Sequence, residues 1–214
     1  MDGNTVVGVI VESKNGREAI RAKRVIDATG DADIAHRAGA PTVKTPIEDM
    51  QGASVMFHLA GVNKTAFMES VKADPQTYAD WSTGEWQVET SGKEDDMYSP
   101  FLKKPFQQAI EDGLIPPNLN TIAGTWGAVH DSGEMTYMNL VHLAGCDGTD
   151  PDSMTQFEIE GRKQAMLAVE ALRRYMPGGE AVRLRNFGMS IGIRDTRKID
   201  TLYNMSEPDV REQG

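Results

Sequence analysis

The sequence predicts an α+β fold, a mixed, largely antiparallel β-sheet with helices mainly on one face, preceded by a small β-meander. Three observations carry this expectation. Two turn signals, Asn15-Gly16 and Asp131-Ser132-Gly133, each sit between strand-like runs and so mark hairpins. The apolar run Gly52 to Gly61 (GASVMFHLAG) reads as a strand with a helix after it. One long stretch, Thr155 to about Tyr175, repeats small and apolar residues at helical spacing.

Taken in order, Thr5 to Glu12 is a β-branched run, Ser13 to Gly16 supplies the turn, and Arg17 to Arg21 is the returning strand. Arg24 to Gly30 (RVIDATG) reads as a short strand ending in small residues, where a backbone can approach a ligand closely. Asp31 or Asp33 can cap a short helix, Ala32 to Ala38, closed by Gly39. After the Gly52 to Gly61 strand, Asn63 or Thr65 starts a helix through about Ala73. Asp74 to Ser99 is mixed in composition, so loops with a short helix are expected there. Pro105 suits the first turn of a helix to Asp112, with Gly113 as its stop and Leu114 as the apolar residue that follows.

Thr121 to His130 and Glu134 to Gly145 are the arms of the second hairpin. In the long helix Thr155 and Glu158 spell a capping box, and Phe157, Gly161, Ala165, Ala168, Leu172 and Tyr175 form one packing face. Glu158 with Arg162 and Glu170 with Arg174 are i,i+4 pairs. Pro177-Gly178-Gly179 ends the helix, and a last strand, about Phe187 to Ile193, leads into Arg194-Asp195-Thr196-Arg197. Two strands end alike, His58-Leu59-Ala60-Gly61 and His142-Leu143-Ala144-Gly145. Either a duplicated unit or two strands leaving one sheet by similar turns accounts for the echo.

Composition narrows the function. With 22 Lys+Arg against 32 Asp+Glu the formal charge is −10, which argues against a nucleic-acid or anionic-membrane surface as partner. No apolar run approaches the roughly 20 residues of a membrane helix. No basic start or cleavage region precedes Thr5, and the single cysteine, Cys146, excludes an internal disulfide framework, so a cytoplasmic setting is expected. His130-Asp131 is not supported by a third ligand nearby, and no metal site is expected. None of the 21 glycines is separated from another by one residue, so a G-x-G-x-x-G dinucleotide fingerprint is absent, as is the P-loop spacing. Gly188, Ser190 and Gly192 match the G-x-S-x-G nucleophile elbow, but all four histidines precede Ser190, the wrong order for that hydrolase fold.

Ile26-Asp27-Ala28-Thr29-Gly30-Asp31, followed by Gly39-Ala40-Pro41, resembles a family of FAD-dependent oxidoreductases with a glutathione-reductase-like flavin fold. Ile191 to Lys198 (IGIRDTRK) is similar to that family's G-I-R-x-T-R segment, and Glu160-Gly161-Arg162, Tyr175 to Gly178, Tyr203 and Asp209-Val210 match further landmarks. The resemblance implies that Ala28, Thr29, Gly30 and Asp31 approach FAD. It also implies an internal piece of a longer enzyme, because the N-terminal fingerprint unit and a late glycine-rich segment are not seen. Residues 1–45 would then belong to the FAD-binding domain, 46–193 to a substrate-binding domain, and 194–214 to a segment returning toward the FAD-binding domain. The isolated piece is expected to be inactive and to bind FAD weakly or not at all.

The readings of individual side chains stay two-sided. Arg194 and Arg197 suit a substrate carboxylate or negative charge developing at the flavin, or else pair with Asp195, Asp200 or Glu207 on a solvated surface. His58 and His142 suit proton transfer from a small-molecule substrate, or else are core histidines satisfied by backbone. A cofactor-free small-molecule binding or interaction module is the alternative function.

Overall fold

The computed structural model describes residues 1–74 and 101–212. In chain order the strands are β1 Gly8–Ser13, β2 Gly16–Arg21, β3 Thr42–Lys44, β4 Ala53–Ala60, β5 Phe101–Leu102, β6 Gly124–Thr125, β7 Met135–Leu143, β8 Arg183–Phe187 and β9 Arg197–Ile199. The helices are α1 Asp33–Arg37, α2 Lys64–Ala73, α3 Lys104–Glu111, α4 Pro151–Tyr175 and α5 Glu207–Arg211. Together they form an α+β protein with antiparallel sheets and a small β-hairpin at the start. Two compact units result, one of Met1–Asp49 with Asp195–Gly214 and one of Met50–Arg194. The expectation of loops and a short helix between Asp74 and Ser99 falls, after Asp74, outside the described residues.

In the first unit β1 and β2 pair from Gly8↔Arg21 to Ser13↔Gly16. Gly16, at φ +96°, takes the left-handed position of the turn, and Ser13 Oγ accepts from the Asn15 amide at 3.1 Å. β3 and β9 form a second antiparallel pair, Thr42↔Ile199 to Lys44↔Arg197, that joins the two stretches of this unit. Both strands are three residues long, too short for a periodic signal in sequence.

The expected strand Arg24 to Gly30 joins no ladder among the described residues, and Ile26 is 89% exposed. The helix after it also starts differently. Its cap position is Ala32, in the left-handed conformation at φ 55°, and neither Asp31 nor Asp33 caps it. Thr29 Oγ1 accepts from the Asp33 amide and Asp27 Oδ2 from the Ala35 amide, so Asp27 and Thr29 do the work expected of Asp31 and Asp33. Gly39, at φ +86°, closes the helix as expected.

In the second unit one five-stranded sheet has the order β5-β6-β7-β4-β8. β4 is its most enclosed strand, with Phe57 and Leu59 wholly buried. α4 packs on one face, and the contact explains Gly161: a Cβ there would run into Val55 Cγ2 and come within 2.8 Å of Leu143 Cδ1. Ala165, Ala168 and Leu172 on the same helix are wholly buried, and Tyr175 is partly buried with its hydroxyl donating to Asp112 Oδ2 at 2.8 Å. β4 and β7 are antiparallel neighbours that leave the sheet through Gly61 at φ +85° and Gly145 at φ +82°. Their shared ending thus follows from two strands of one sheet leaving by the same left-handed turn.

α2 and α3 lie where the sequence places them, with Asn63 Oδ1 accepting from the Ala66 amide and Pro105 in the first turn of α3. α4 begins earlier than expected. Asp150 caps it by accepting from the Asp152 amide, Pro151 opens it, and Thr155 donates to the Pro151 carbonyl instead of forming a capping box with Glu158. The Glu158–Arg162 and Glu170–Arg174 pairs are both present. The last strand is shifted toward the N-terminus. β8 ends at Phe187, and residues 188–192 continue along β4 only through Gly188 N to Met56 O and the two-way Ser54–Gly192 bridge.

Because Gly161 sets how closely α4 approaches the sheet, Gly161→Val overpacks that contact. It should destabilise the fold by about 1–3 kcal/mol, while Ile159→Gln, on the exposed side of α4, should stay within about 0.5 kcal/mol. Urea unfolding of the two variants checks this.

Candidate functional site

Two places hold the residues of interest. In the first unit Asp27 ties the Ala-Thr-Gly-Asp turn together. Its Oδ1 accepts from the Thr29 amide at 3.1 Å and from the Thr29 hydroxyl at 2.7 Å, and its Oδ2 accepts from the Ala35 amide at 2.9 Å. These donors hold the Asp27 carboxyl below the usual carboxylate range, the Ala35 amide first and Thr29 next. From the other stretch of the unit, the buried Thr196 hydroxyl donates to Asp31 Oδ1 at 2.6 Å, and Arg197 Nε donates to the Asp31 carbonyl at 3.0 Å. Arg197 also pairs with Asp33. The I-D-A-T-G-D and I-R-D-T-R stretches are therefore hydrogen-bonded to each other across more than 160 residues of chain.

What remains free at this turn is backbone. The Gly30 and Asp31 amides take no partner among the described residues, and a Cβ at Gly30 would meet nothing within 4 Å. Gly30 has φ +85°, so glycine is required by conformation, and the space beside it stays open. Asp27 was not singled out as a site residue from sequence. Its signal is the Asp-x-Thr spacing, which recurs with the same hydrogen bonds at Asp147 and Thr149.

In the second unit the sheet face opposite α4 is polar. Ser54 and His142 are directly opposed in the β4/β7 register and so share that face, and Ser54 is also bridged to Gly192. Ser54 Oγ, His58 Nδ1, Trp126 Nε1 and Asn139 Oδ1 are buried without a hydrogen-bond partner among the described residues, Ser54 being only 2% exposed. Orphaned buried polar atoms of this kind need an explanation. His58 stacks at 6.0 Å on the ring of Tyr137, whose backbone sits at φ +53°, an uncommon conformation for a non-glycine residue.

The two histidines differ. The His142 pKa is lowered, chiefly by burial and then by the Arg194 charge, against a hydrogen bond to the Ala123 backbone that acts in the opposite sense. His142 is thus backbone-satisfied, whereas His58 has one nitrogen without a partner. The four positions between Ser54 and His58 span about 13 Å of strand, so His58 stands apart from the His142 end of the sheet.

The two arginines also differ. Arg194 is exposed and makes no ion pair among the described residues, while Arg197 is partly buried and engaged by Asp31 and Asp33. Asp195 is bound by Lys198 and Thr45. Glu158 Oε2 accepts from the Ile191 amide at 2.6 Å while its other oxygen holds Arg162, which fixes the segment leading to Arg194 on α4. A separate cleft is lined by Phe67, Val71, Leu102 and Met176 together with Ser70, Tyr175 and the Lys104–Asp74 pair.

Ser190 is exposed on the segment after β8, and that segment leads back to β4 through Gly192 rather than into a helix, so the elbow motif has no hydrolase context. Among the described residues no three His, Cys, Asp or Glu side chains are grouped to hold a metal ion. No helix among them is long and apolar enough to cross a membrane.

A family model described as FAD dependent oxidoreductase matches residues 1–214, and the chain belongs to that family. No curated protein and no solved structure matches it. The family implies FAD, and the Gly30 turn fits such a group through its open space and its two free amides. The Thr29 hydroxyl and the Asp31 carboxylate are already committed to protein partners.

Two outcomes follow. Asp27→Asn should lower the exchange protection of the Ala35 and Thr29 amides relative to their intrinsic rates, and lowering the pH through the depressed carboxyl value should do the same. A carboxyl held below its ordinary value of about 3.9 stabilises the fold above that value and loses its effect as pH falls through the lowered one. NMR exchange rates unchanged by the substitution would contradict the role given to Asp27. His142 should titrate below the ordinary histidine value of about 6.5, and Arg194→Ala should move it upward. Because the unfolded chain takes up that proton first, stability should fall as pH drops from about 6.5 to the lowered native value, and this contribution should level off below it.

Proposed function

We propose that this chain is part of a larger FAD-dependent oxidoreductase in which the Ala28-Thr29-Gly30-Asp31 turn lies against FAD and the Met50–Arg194 unit shapes the small-molecule substrate pocket. The observation that carries this is the family match over residues 1–214 together with the open turn at Gly30. FAD, when bound, supplies two-electron chemistry. The Gly30 and Asp31 amides would hold an anionic or carbonyl part of it, and Asp27, Thr196 and Arg197 keep those amides in position.

In the pocket, Arg194 would bind a substrate carboxylate or stabilise negative charge, and the free guanidinium supports that role. Arg197 is a positioning residue, since its donors face Asp31 and Asp33. His58 would exchange a proton with substrate through its unpartnered Nδ1. The unladdered Arg24 to Thr29 segment, with Ile26 uncovered, supports completion of the FAD-binding sheet by polypeptide outside these 214 residues. The buried free thiol of Cys146, its pKa raised by burial and then by Asp147, suits a reducing cytoplasm.

Flavin content and kinetics together test this reading. The 214-residue chain should purify colourless and bind FAD weakly in a fluorescence titration, whereas a longer natural chain carrying a G-x-G-x-x-G unit should purify yellow. In the longer chain Arg194→Ala should cut kcat/KM by about 10-fold to 100-fold with an unchanged melting temperature. A colourless longer chain favours the cofactor-free binding module, a yellow 214-residue chain overturns the partial-enzyme reading, and unchanged kinetics removes Arg194 from the site.

A further inference from the structure

We propose that Arg194, His142 and Ser54 form a recessed subsite for a small monocarboxylate bearing a hydroxyl group next to the carboxylate, an α-hydroxy acid. This rests on the reading above that the polar face of the second unit is the substrate side, and it names the substrate class.

The charge comes first. Arg194 is an exposed guanidinium without an ion pair among the described residues, and its neighbour in sequence, Asp195, is taken up by Lys198 and Thr45. A planar fork of donors left open in this way matches a carboxylate in two-point contact. The partner group is His142, whose pKa is lowered by burial and then by the Arg194 charge, so near neutral pH it adds little positive charge to that of Arg194. One guanidinium with a neutral imidazole suits a monoanion better than a phosphate dianion, which would call for a second cation.

The hydroxyl follows from the imidazole. His142 is hydrogen-bonded to the Ala123 backbone in the sense that favours its protonated form, so the ring donates to that carbonyl and its other nitrogen keeps a lone pair. That nitrogen accepts a hydrogen bond and cannot donate one, so it pairs with a ligand O–H. Ser54 closes the inner end. Ser54 is 2% exposed, its hydroxyl has no partner among the described residues, and it lies directly across from His142 in the register. A ligand oxygen there satisfies an otherwise orphaned group. The carboxylate thus sits at the exposed Arg194 end and the hydroxyl toward the buried Ser54 end. On the strand side opposite β7, Ser54 is bridged to Gly192, which carries no side chain.

The test uses the 214-residue chain and no flavin, so it is independent of cofactor loading. The His142 ring signals are followed by NMR during titration with glycolate, acetate, ethylene glycol and inorganic phosphate. Glycolate should shift them saturably in the millimolar range and bind at least 10-fold tighter than acetate or phosphate, and ethylene glycol should not saturate. Arg194→Gln, at an exposed position with no structural partner to lose, should weaken glycolate at least 10-fold, and Ser54→Ala should narrow the preference for glycolate over acetate. The proposal is overturned by equal affinity for glycolate and acetate, by phosphate binding more tightly, or by glycolate affinity indifferent to Arg194→Gln. Failure here leaves the flavin content of the longer chain as a separate measurement, and a colourless longer chain leaves this binding result standing.

Discussion

The alternation of side chains along β4 is the constraint on which the second unit depends. A strand sends successive residues to opposite faces, so a strand packed against a helix on one side must carry a different chemistry on the other. Val55, Phe57 and Leu59 go to the buried interior, and Gly161 on α4 is bare because Val55 and Leu143 already fill the space its side chain would need. Ser54, Met56 and His58 fall at the alternate positions, in a ladder whose register shifts near Phe57 and Leu59, and register places His142 opposite Ser54. A core built from one half of a strand therefore fixes where the polar half points. The rigidity of this arrangement comes from the apolar half, where the largest buried side chains are wholly inaccessible.

A different constraint governs the first unit, which buries little apolar surface and is held by hydrogen bonds to a few carboxylates. Asp27 organises its own turn through Thr29 and Ala35, and Asp31 receives Thr196 and Arg197 from the other end of the chain. Each carboxylate has charge-assisted bonds, which are stronger than neutral ones. The result is a turn whose side chains are spent on structure and whose backbone amides at Gly30 and Asp31 are unspent. Such a division suits recognition by backbone, in which the identity of the side chains matters for shape more than for contact.

Much of this was legible in sequence. The long helix, the α2 and α3 boundaries, the first hairpin and the i,i+4 pairs follow from periodicity, caps and turn residues, and the structure has them, while the second hairpin's first arm, expected from Thr121 to His130, is a strand only at Gly124–Thr125. The misses have physical causes. The helix start at Pro151 was outranked by a Thr155-Glu158 pattern whose Glu158 is used instead by Ile191, a partner distant in sequence. β3 and β9 stabilise each other only as a pair, so neither has a pattern of its own. Asp31 looked like a cap because it precedes a helix, but a long-range donor, Thr196, claims its carboxylate. At the site, Arg194 and Arg197 looked equivalent because sequence spacing does not say which acid each one meets.

That difference between the arginines matters most in a protein with ten more acidic than basic side chains. The field of such a chain repels anions over distances comparable to the Debye length of about 8 Å at physiological salt, so an anionic ligand is held only where a cation is locally uncompensated. Arg197 cannot serve, since Asp33 neutralises it at close range. Arg194 makes no ion pair among the described residues, and the acid next to it in sequence binds Lys198. The Asp195–Lys198 pair is itself an exposed surface interaction of small energetic worth. In the proposed site, what an anionic substrate would meet is therefore the Arg194 guanidinium itself, which has no ion pair among the described residues.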